Sequence, residues 1–176
     1  VYIGKVDRDI IYDGIISNLQ EAIEYLPWMG NGEYTAERVT KGFAYGLLAR
    51  VALFAGGYSV RDANEFSDAN VEHLERIEEL NGYYVGRRKD YLKYYDIAEK
   101  ACATLIGNSD NPHQLDVDFG DIWKTVCHLD LNKYNENLFE VATGMSQNGD
   151  IGNLMGYSMG TNTKYTGGRS MGGNYS

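Results

Sequence analysis

The sequence predicts a mainly α protein built from helical hairpins, with a short β-like segment and a glycine-rich irregular tail. Residues 39–59 form an apolar stretch with helical periodicity, and stretches on both sides of it carry apolar stripes at the same spacing. The first two predicted helices are joined by a short connection, which favours antiparallel packing. The chain has 176 residues, of which 43% are hydrophobic and 23% charged, enough for one domain with a sizeable core.

The first predicted helix covers residues 9–26. Its apolar stripe is continuous at helical spacing and consists of Ile11, Ile15, Ile16, Leu19, Ala22, Ile23 and Leu26. Asp7 or Asp9 is placed to cap the first turn, and Pro27 ends the helix because proline cannot continue it. Residues 28–34, WMGNGEY, are rich in Gly and Asn and predict a turn.

The second predicted helix is the apolar stretch itself. One side carries Phe43, Leu47, Val51 and Phe54, and the next side carries Ala44, Leu48, Ala52 and Ala55. A helix that is apolar nearly all round is either a membrane span or the centre of a bundle. The apolar part is about 15 residues, shorter than a span of roughly 20, and Arg50 interrupts it. We therefore expect a buried central helix, which Gly56 and Gly57 end in a left-handed C-cap.

Weaker signals follow this helix. Residues 61–67 are polar and predict a loop. Residues 68–81 predict a modest helix, which Gly82 closes and whose apolar stripe is Val71, Leu74, Ile77 and Leu80. The basic run Arg87, Arg88 and Lys89 is interpreted as a solvated face before the next helix.

Residues 90–106 predict a strong helix, with Asp90 as N-cap and Gly107 as C-cap. Cys102 lies on its apolar face and is expected to be a buried free thiol, although a bridge to Cys127 in an oxidising compartment stays open. Residues 108–114 predict a turn. Residues 119–129 predict a short helix whose packed side is Phe119, Ile122, Trp123 and Val126.

The last part of the chain changes character. Residues 138–143, LFEVAT, predict a β-like segment from their apolar run and branched side chains. Residues 144–176 are rich in Gly and Tyr and cannot bury enough apolar surface to fold alone. We therefore divide the chain into a helical scaffold, residues 1–143, and a loop or part of an irregular subdomain, residues 144–176. The sequence begins without an initiating Met or a signal peptide, and its last residues do not complete a structural element. The chain is therefore expected to be a piece of a longer protein.

Charge and motif content narrow the function. The net charge of −9 disfavours nucleic-acid binding, which depends on Lys and Arg neutralising phosphates. The three histidines and two cysteines match no metal-binding spacing, and no phosphate-binding loop or nucleophile elbow is present. The acidic residues lie on the polar sides of predicted helices, where charge runs are usually solvated. We expect a protein that is not an enzyme and holds no metal or cofactor.

Aromatic residues in loops are the best candidates for binding. The chain has 15 tyrosines, and aromatic faces stack against the C–H side of sugar rings while short polar groups bind hydroxyls. The candidate ligand-binding residues are Trp28, Tyr58, Tyr157 and Tyr165. Trp123, Tyr94 and Tyr95 lie on apolar helix sides and are expected to pack instead.

Two sequence motifs resemble the SusD/RagB family of bacterial surface lipoproteins. Residues 38–58, RVTKGFAYGLLARVALFAGGY, match the core-helix pattern R-x-T-K-G-x-A-x-x-L-L-A-R-V-x-L. Residues 135–144, NENLFEVATG, resemble the pattern N-x-E-x-I-F-E-V that follows the helices of that family, through its E-x-I-F-E-V part with Leu in place of Ile. Phe43 departs from the pattern, since the family more often has a small residue there. Lys41 and Arg50 match it and are assigned to packing and helix-end contacts.

The resemblance implies both an architecture and a role. It implies a tetratricopeptide-like helical array, and residues 94–106, YYDIAEKACATLI, look like a helix of that type. It implies an outer-membrane, cell-surface protein, lipid-anchored at full length, that binds oligosaccharide or polysaccharide, or another nutrient polymer. The partner it implies is a SusC/RagA-type TonB-dependent transporter. Two rivals stay open: a helical protein–protein scaffold without a small ligand, and an accessory fragment of a glycan hydrolase.

Overall fold

The structure, a computed structural model, describes residues 4–62, 71–73, 82–115, 118–128, 130 and 135–141. Contacts divide the chain into two compact units, Val1–Glu140 and Val141–Ser176, and the helices and strands described lie in the first. Two predicted segments lie outside the described residues: residues 74–81 of the predicted helix, and the tail, residues 144–176. The candidate residues Tyr157 and Tyr165 belong to that tail.

The described chain is mainly helical, which confirms the predicted class. Its elements in order are α1 (Arg8–Tyr25), α2 (Lys41–Gly56), β1 (Ser59–Asp62), β2 (Val71–His73), β3 (Tyr83–Arg88), α3 (Tyr91–Gly107) and α4 (Phe119–Cys127). The core is formed where α1, α2 and α3 meet, and it consists mainly of Ile16, Ile23, Ala44, Leu48, Ala49, Ala52, Ala55, Tyr94, Ala98 and Ala101. Within the described residues, no helix combines the length and apolar character needed to cross a membrane.

Helix α1 begins at the Asp7 cap, whose carboxylate accepts a hydrogen bond from Asp9 N at 2.7 Å. The predicted apolar stripe is wider than the buried face, because Ile16 and Ile23 are buried while Ile11 and Ile15 are exposed. The rest of the described chain therefore buries only the part of the stripe that contains Ile16 and Ile23.

Helix α2 lies in the middle of the helical layer. Thr40 caps its start by accepting from Phe43 N at 3.4 Å, and the alanine side, not the Phe43 side, forms most of the buried surface. The predicted left-handed C-cap is wrong. Gly57 has φ −81° and ψ 164°, an extended conformation, because the chain passes almost directly into β1.

The three long helices alternate in direction. Lys41 N at the start of α2 donates to Pro27 O just after α1, at 2.8 Å, while Arg61 beyond the end of α2 binds Asp9 at the start of α1. The end of α2 lies against the start of α3, since a Cβ on Gly56 would be 3.0 Å from Tyr91 O. α1, α2 and α3 therefore form an antiparallel layer with α2 between its neighbours.

A small antiparallel sheet in the order β1-β3-β2 connects α2 to α3. It corrects two predictions: Arg61 and Asp62 belong to β1 instead of a loop, and residues 71–73 form β2 instead of part of a helix. The strands are fixed by pairing with β3, in which Val60 lies opposite Val85 and Val71 opposite Arg88. Pairing between strands that are distant in sequence cannot be predicted from the apolar periodicity of one short segment.

Helix α3 spans the predicted region but differs in its details. Asp90 stands at the N-cap position, yet its carboxylate binds Arg88 instead of capping the backbone. Asn108 is the C-cap, so Gly107 is the last helical residue. Cys102 is an exposed free thiol, as is Cys127, so the predicted burial of Cys102 is wrong. The buried face of α3 passes through Ala98 and Ala101, and Cys102 lies beside it.

The end of the described chain corrects two more predictions. Trp123 and Phe119 on α4 are 58% and 83% exposed, so the predicted packed side of this helix is not covered within the described residues. Residues 138–141 form no strand. Their described backbone contact with another segment is Glu140 N donating to Ala36 O at 2.8 Å, and that loop offers no strand to pair with.

Candidate functional site

The sheet is anchored to α1 by a buried arginine. Successive side chains of a strand point to opposite faces, and Arg61 lies on the inner face of β1, with only 8% of its surface exposed. Its guanidinium donates to both carboxylate oxygens of Asp9, at 2.8 and 3.0 Å, and to Gly86 O at 3.3 Å. A buried charge that is paired and hydrogen-bonded in this way fixes the position of the strand.

A second arginine on the inner face joins β3 to both outer helices. Arg88 donates to Asp13 on α1 at 2.8 and 3.4 Å and to Asp90 at 3.0 and 3.2 Å. Tyr94 on α3 donates to the same Asp13 oxygen at 2.5 Å. Burial acts to raise the pKa of Asp13, but the hydrogen bonds from Arg88 and Tyr94 outweigh it and hold that pKa below its ordinary value. Asp13 is therefore a carboxylate that three elements share.

The outer face of the same sheet is aromatic and accessible. Arg87 lies on this face with Tyr83, and its guanidinium carbon is 4.7 Å from the ring centroid of Tyr58 and 3.5 Å from that of Tyr91. Tyr58 is 44%, Tyr83 49% and Val60 65% exposed. We name this surface the Tyr58 face, defined by Tyr58, Val60, Tyr83 and Arg87. It combines aromatic rings, phenolic hydroxyls and a cation, held by a strand whose inner side chains are fixed.

The chemistry of the Tyr58 face suits binding by stacking. Aromatic rings accept the apolar side of a sugar ring or an apolar side chain, and Tyr hydroxyls and guanidinium groups bind polar substituents. The neighbouring carboxylates of Asp9 and Asp13 are both paired with arginines on the inner side of the sheet. Among the described residues, no group of three or more His, Cys, Asp or Glu side chains is arranged to hold a metal ion.

The structure places the predicted site residues apart. Trp28 is half-buried and stacks on Tyr45 of α2, with ring centroids 6.1 Å apart and an interplanar angle of 23°. Tyr45 is near the start of α2, whereas Tyr58 follows the end of this helix. The part of α2 between them rises by roughly 17 Å, so Trp28, which stacks on Tyr45, lies near the opposite end of the helix from Tyr58. Trp28 and Tyr58 therefore do not belong to one small site.

The sequence interpretation missed Arg87 and Arg88. Both were assigned to a solvated basic run, whereas the side chain of Arg88 is only 13% exposed and the guanidinium of Arg87 lies against the rings of two tyrosines. The signal was the alternation on β3, which sends neighbouring arginines to opposite faces. Recognising it required knowing that residues 83–88 form a strand.

No protein-family model, curated protein or solved structure matches this chain.

Proposed function

We propose that this chain is the helical part of a cell-surface binding protein of the SusD/RagB type. In this role it captures a glycan, or another nutrient polymer, without catalysis. It then delivers that ligand to a SusC/RagA-type TonB-dependent transporter in the outer membrane, to which the full-length protein is held by a lipid anchor.

The observation that carries this proposal is that the two stretches with the family motifs pack on each other. Phe43 and Phe139 are 96 residues apart in the sequence, yet the centroids of their rings are 4.7 Å apart. A Cβ on Gly46 would lie 2.7 Å from Leu138 Cδ1, so the second stretch presses on a glycine of the first. Contact between the two motifs in the folded chain supports a relationship to this family better than the presence of both motifs in one sequence does. Phe43, the departure from the family pattern, is the residue that meets Phe139.

We propose that the helical layer is part of a tetratricopeptide-like array. Such arrays stack antiparallel helix pairs so that each helix contacts its neighbours in sequence. The order α1, α2, α3 follows that rule, and the alanines of α2 let both neighbours approach closely.

Within this proposal, the Tyr58 face is the strongest ligand surface in the described chain. Tyr58 offers an exposed ring that Arg87 holds in place, whereas Trp28 is already stacked on Tyr45. Tyr157 and Tyr165 remain candidates from the sequence alone.

A protein–protein scaffold is the second candidate, and α4 favours it. Phe119 and Trp123 are exposed on this amphipathic helix, and Leu115 just before it is 89% exposed. Exposed apolar residues grouped in this way are typical of protein interfaces.

The test is isothermal titration of this chain, and of a longer form of the protein, with a panel of soluble polysaccharides and peptides. We expect saccharide binding that Tyr58→Ala weakens about tenfold, since stacking on an aromatic ring contributes on the order of 1 kcal/mol or more. Tyr25→Ala is the matched control, because Tyr25 is 81% exposed and lies on α1, outside the Tyr58 face. Absence of saccharide binding by both forms would reject the glycan proposal and favour the scaffold.

A further inference from the structure

A hollow of about 530 Å³ lies on the side of α2 that carries Phe43. One wall is α2 and the other is the segment 136–139, which the contact between Leu138 and Gly46 holds against the helix. Its lining includes Phe43, Leu47, Arg50, Glu136, Asn137 and Phe139. This volume is within the range of protein pockets that bind small molecules.

The hollow has an aromatic wall. The Phe43 and Phe139 rings are tilted by 35° to each other, with centroids 4.7 Å apart, and both side chains remain partly accessible. Because the two rings face each other at this distance, it is their accessible edges that line the hollow and can contact the C–H groups of a flat or chair-shaped molecule.

Three polar side chains on the hollow are uncommitted. Arg50, Glu136 and Asn137 make no hydrogen bond or ion pair with any described residue. Together they offer a planar set of donors, a carboxylate acceptor and an amide that does both. Arg50 was expected to make packing or helix-end contacts, but it is exposed at this position.

We infer that this hollow is a binding site for one pyranose residue of a neutral oligosaccharide. The inference rests on the proposed glycan-binding function and adds a site that is distinct from the Tyr58 face.

The lining chemistry selects this ligand class. A pyranose has an apolar face for Phe43 and Phe139 and a rim of hydroxyls, each of which both donates and accepts. Arg50 and Glu136 carry opposite charges, so the site favours a ligand with no net charge over an anionic sugar. The hollow is open on one side, which lets a chain continue beyond the bound residue and suits a polymer unit better than a small enclosed metabolite.

The experiment titrates the whole chain with maltohexaose, cellohexaose and mannohexaose, and separately with a set of neutral tripeptides. Arg50→Met removes the guanidinium and keeps an apolar stem. Because Arg50 is exposed, this change leaves the core intact. Arg38→Met is the matched control, since Arg38 is also an exposed arginine and is not among the hollow's lining residues.

We expect at least one hexasaccharide to bind and its Kd to rise about tenfold in Arg50→Met and Asn137→Ala, but not in Arg38→Met. Loss of one hydrogen bond between the protein and the ligand has about this effect. Saccharide binding could instead be unchanged in Arg50→Met and weakened in Tyr58→Ala. That result would overturn the hollow as the binding site and leave the proposed function standing. Binding of tripeptides alone, dependent on Arg50, would overturn the pyranose assignment. Absence of all saccharide binding by this chain would overturn the hollow, and the same absence from the longer form would reject the proposed glycan binding as well.

Discussion

Asp13 and His113 are two residues that each hold distant parts of the described chain together. Asp13 accepts from Arg88 on β3 and from Tyr94 on α3, so one carboxylate ties α1 to both. His113 lies between the start of α2 and the segment at Asn135, and its Nδ1 is 2.9 Å from Asn135 O. Each side chain acts as a polar contact between parts of the chain that are distant in sequence.

Replacing Asp13 should destabilise the fold more than replacing an ordinary surface acid. In Asp13→Ala the largely buried Arg88 loses one of its two carboxylate partners, and Tyr94 loses its acceptor. We expect the free energy of unfolding in urea to fall by about 1–3 kcal/mol. Asp96→Ala is the control, because Asp96 forms an exposed pair with Lys100 and should cost about 0–1 kcal/mol. Equal effects of the two changes would contradict a structural role for Asp13.

His113 should make the fold sensitive to mild acid. Asn135 O can only accept, so Nδ1 carries the proton in the neutral ring, and Nε2 is buried without a partner among the described residues. Burial lowers the pKa of His113 from 6.5, and the hydrogen bond to Asn135 opposes this shift only in part. The unfolded chain therefore takes up a proton first as the pH falls below about 6.5, and the free energy of unfolding decreases.

The measurement for this effect is thermal unfolding between pH 7.5 and pH 5. His113→Asn should flatten the decrease in Tm below about pH 6.5, since the Asn amide can still donate to Asn135 O but does not titrate. His128→Asn, which changes an exposed histidine, should keep the wild-type pH dependence. A decrease of the same size in His113→Asn would show that other groups cause it.

At the scale of elements, α2 depends on residues without large side chains. Its alanines face α1 and α3, while its glycines face the returning segments: Gly42 lies against His113, and Gly46 against Leu138. A helix apolar on all sides can thus be packed on several sides within a small protein.

Glycine-to-alanine changes in two helices should have opposite effects. Alanine is the better helix former, so Gly14→Ala in α1, where a Cβ meets nothing within 4 Å, should stabilise by roughly 0.5–1 kcal/mol. In Gly42→Ala the Cβ would be 2.6 Å from the His113 ring, so we expect destabilisation of about 1–3 kcal/mol. Urea unfolding of both variants checks the signs. A stabilising Gly42→Ala would mean that His113 does not pack on α2.

At the scale of the whole molecule, we expect that, among the helices that the structure describes, stability is highest along α2 and lowest along α4. Helix α2 is covered by α1 and α3, whereas Phe119 and Trp123 on α4 are exposed. Native-state hydrogen exchange should therefore show the slowest amides in residues 44–52 and faster exchange through α4. Exchange from α4 as slow as that from α2 would contradict this order and would favour an interface that covers Phe119 and Trp123.

The sequence by itself determined the helices and their approximate ends. Apolar periodicity located α1, α2, α3 and α4, because a buried helical face repeats locally every three to four residues. Asp7 as a cap and Pro27 as a stop were equally local signals. Cys102 was wrongly predicted to be buried for the same reason. An apolar stripe shows which broad side of a helix faces the core, but it does not show which residues of that side are fully covered.

Only the tertiary structure decided what the polar and β-forming residues do. Residues 71–73 are a strand because β3 lies beside them, and Arg87 and Arg88 separate into an outer and an inner role for the same reason. The hollow beside α2 exists because residues 136–139 return to Phe43 and Gly46 from about 90 residues away. Side-chain pairing across such distances depends on the path of the chain, which no local pattern of residues encodes.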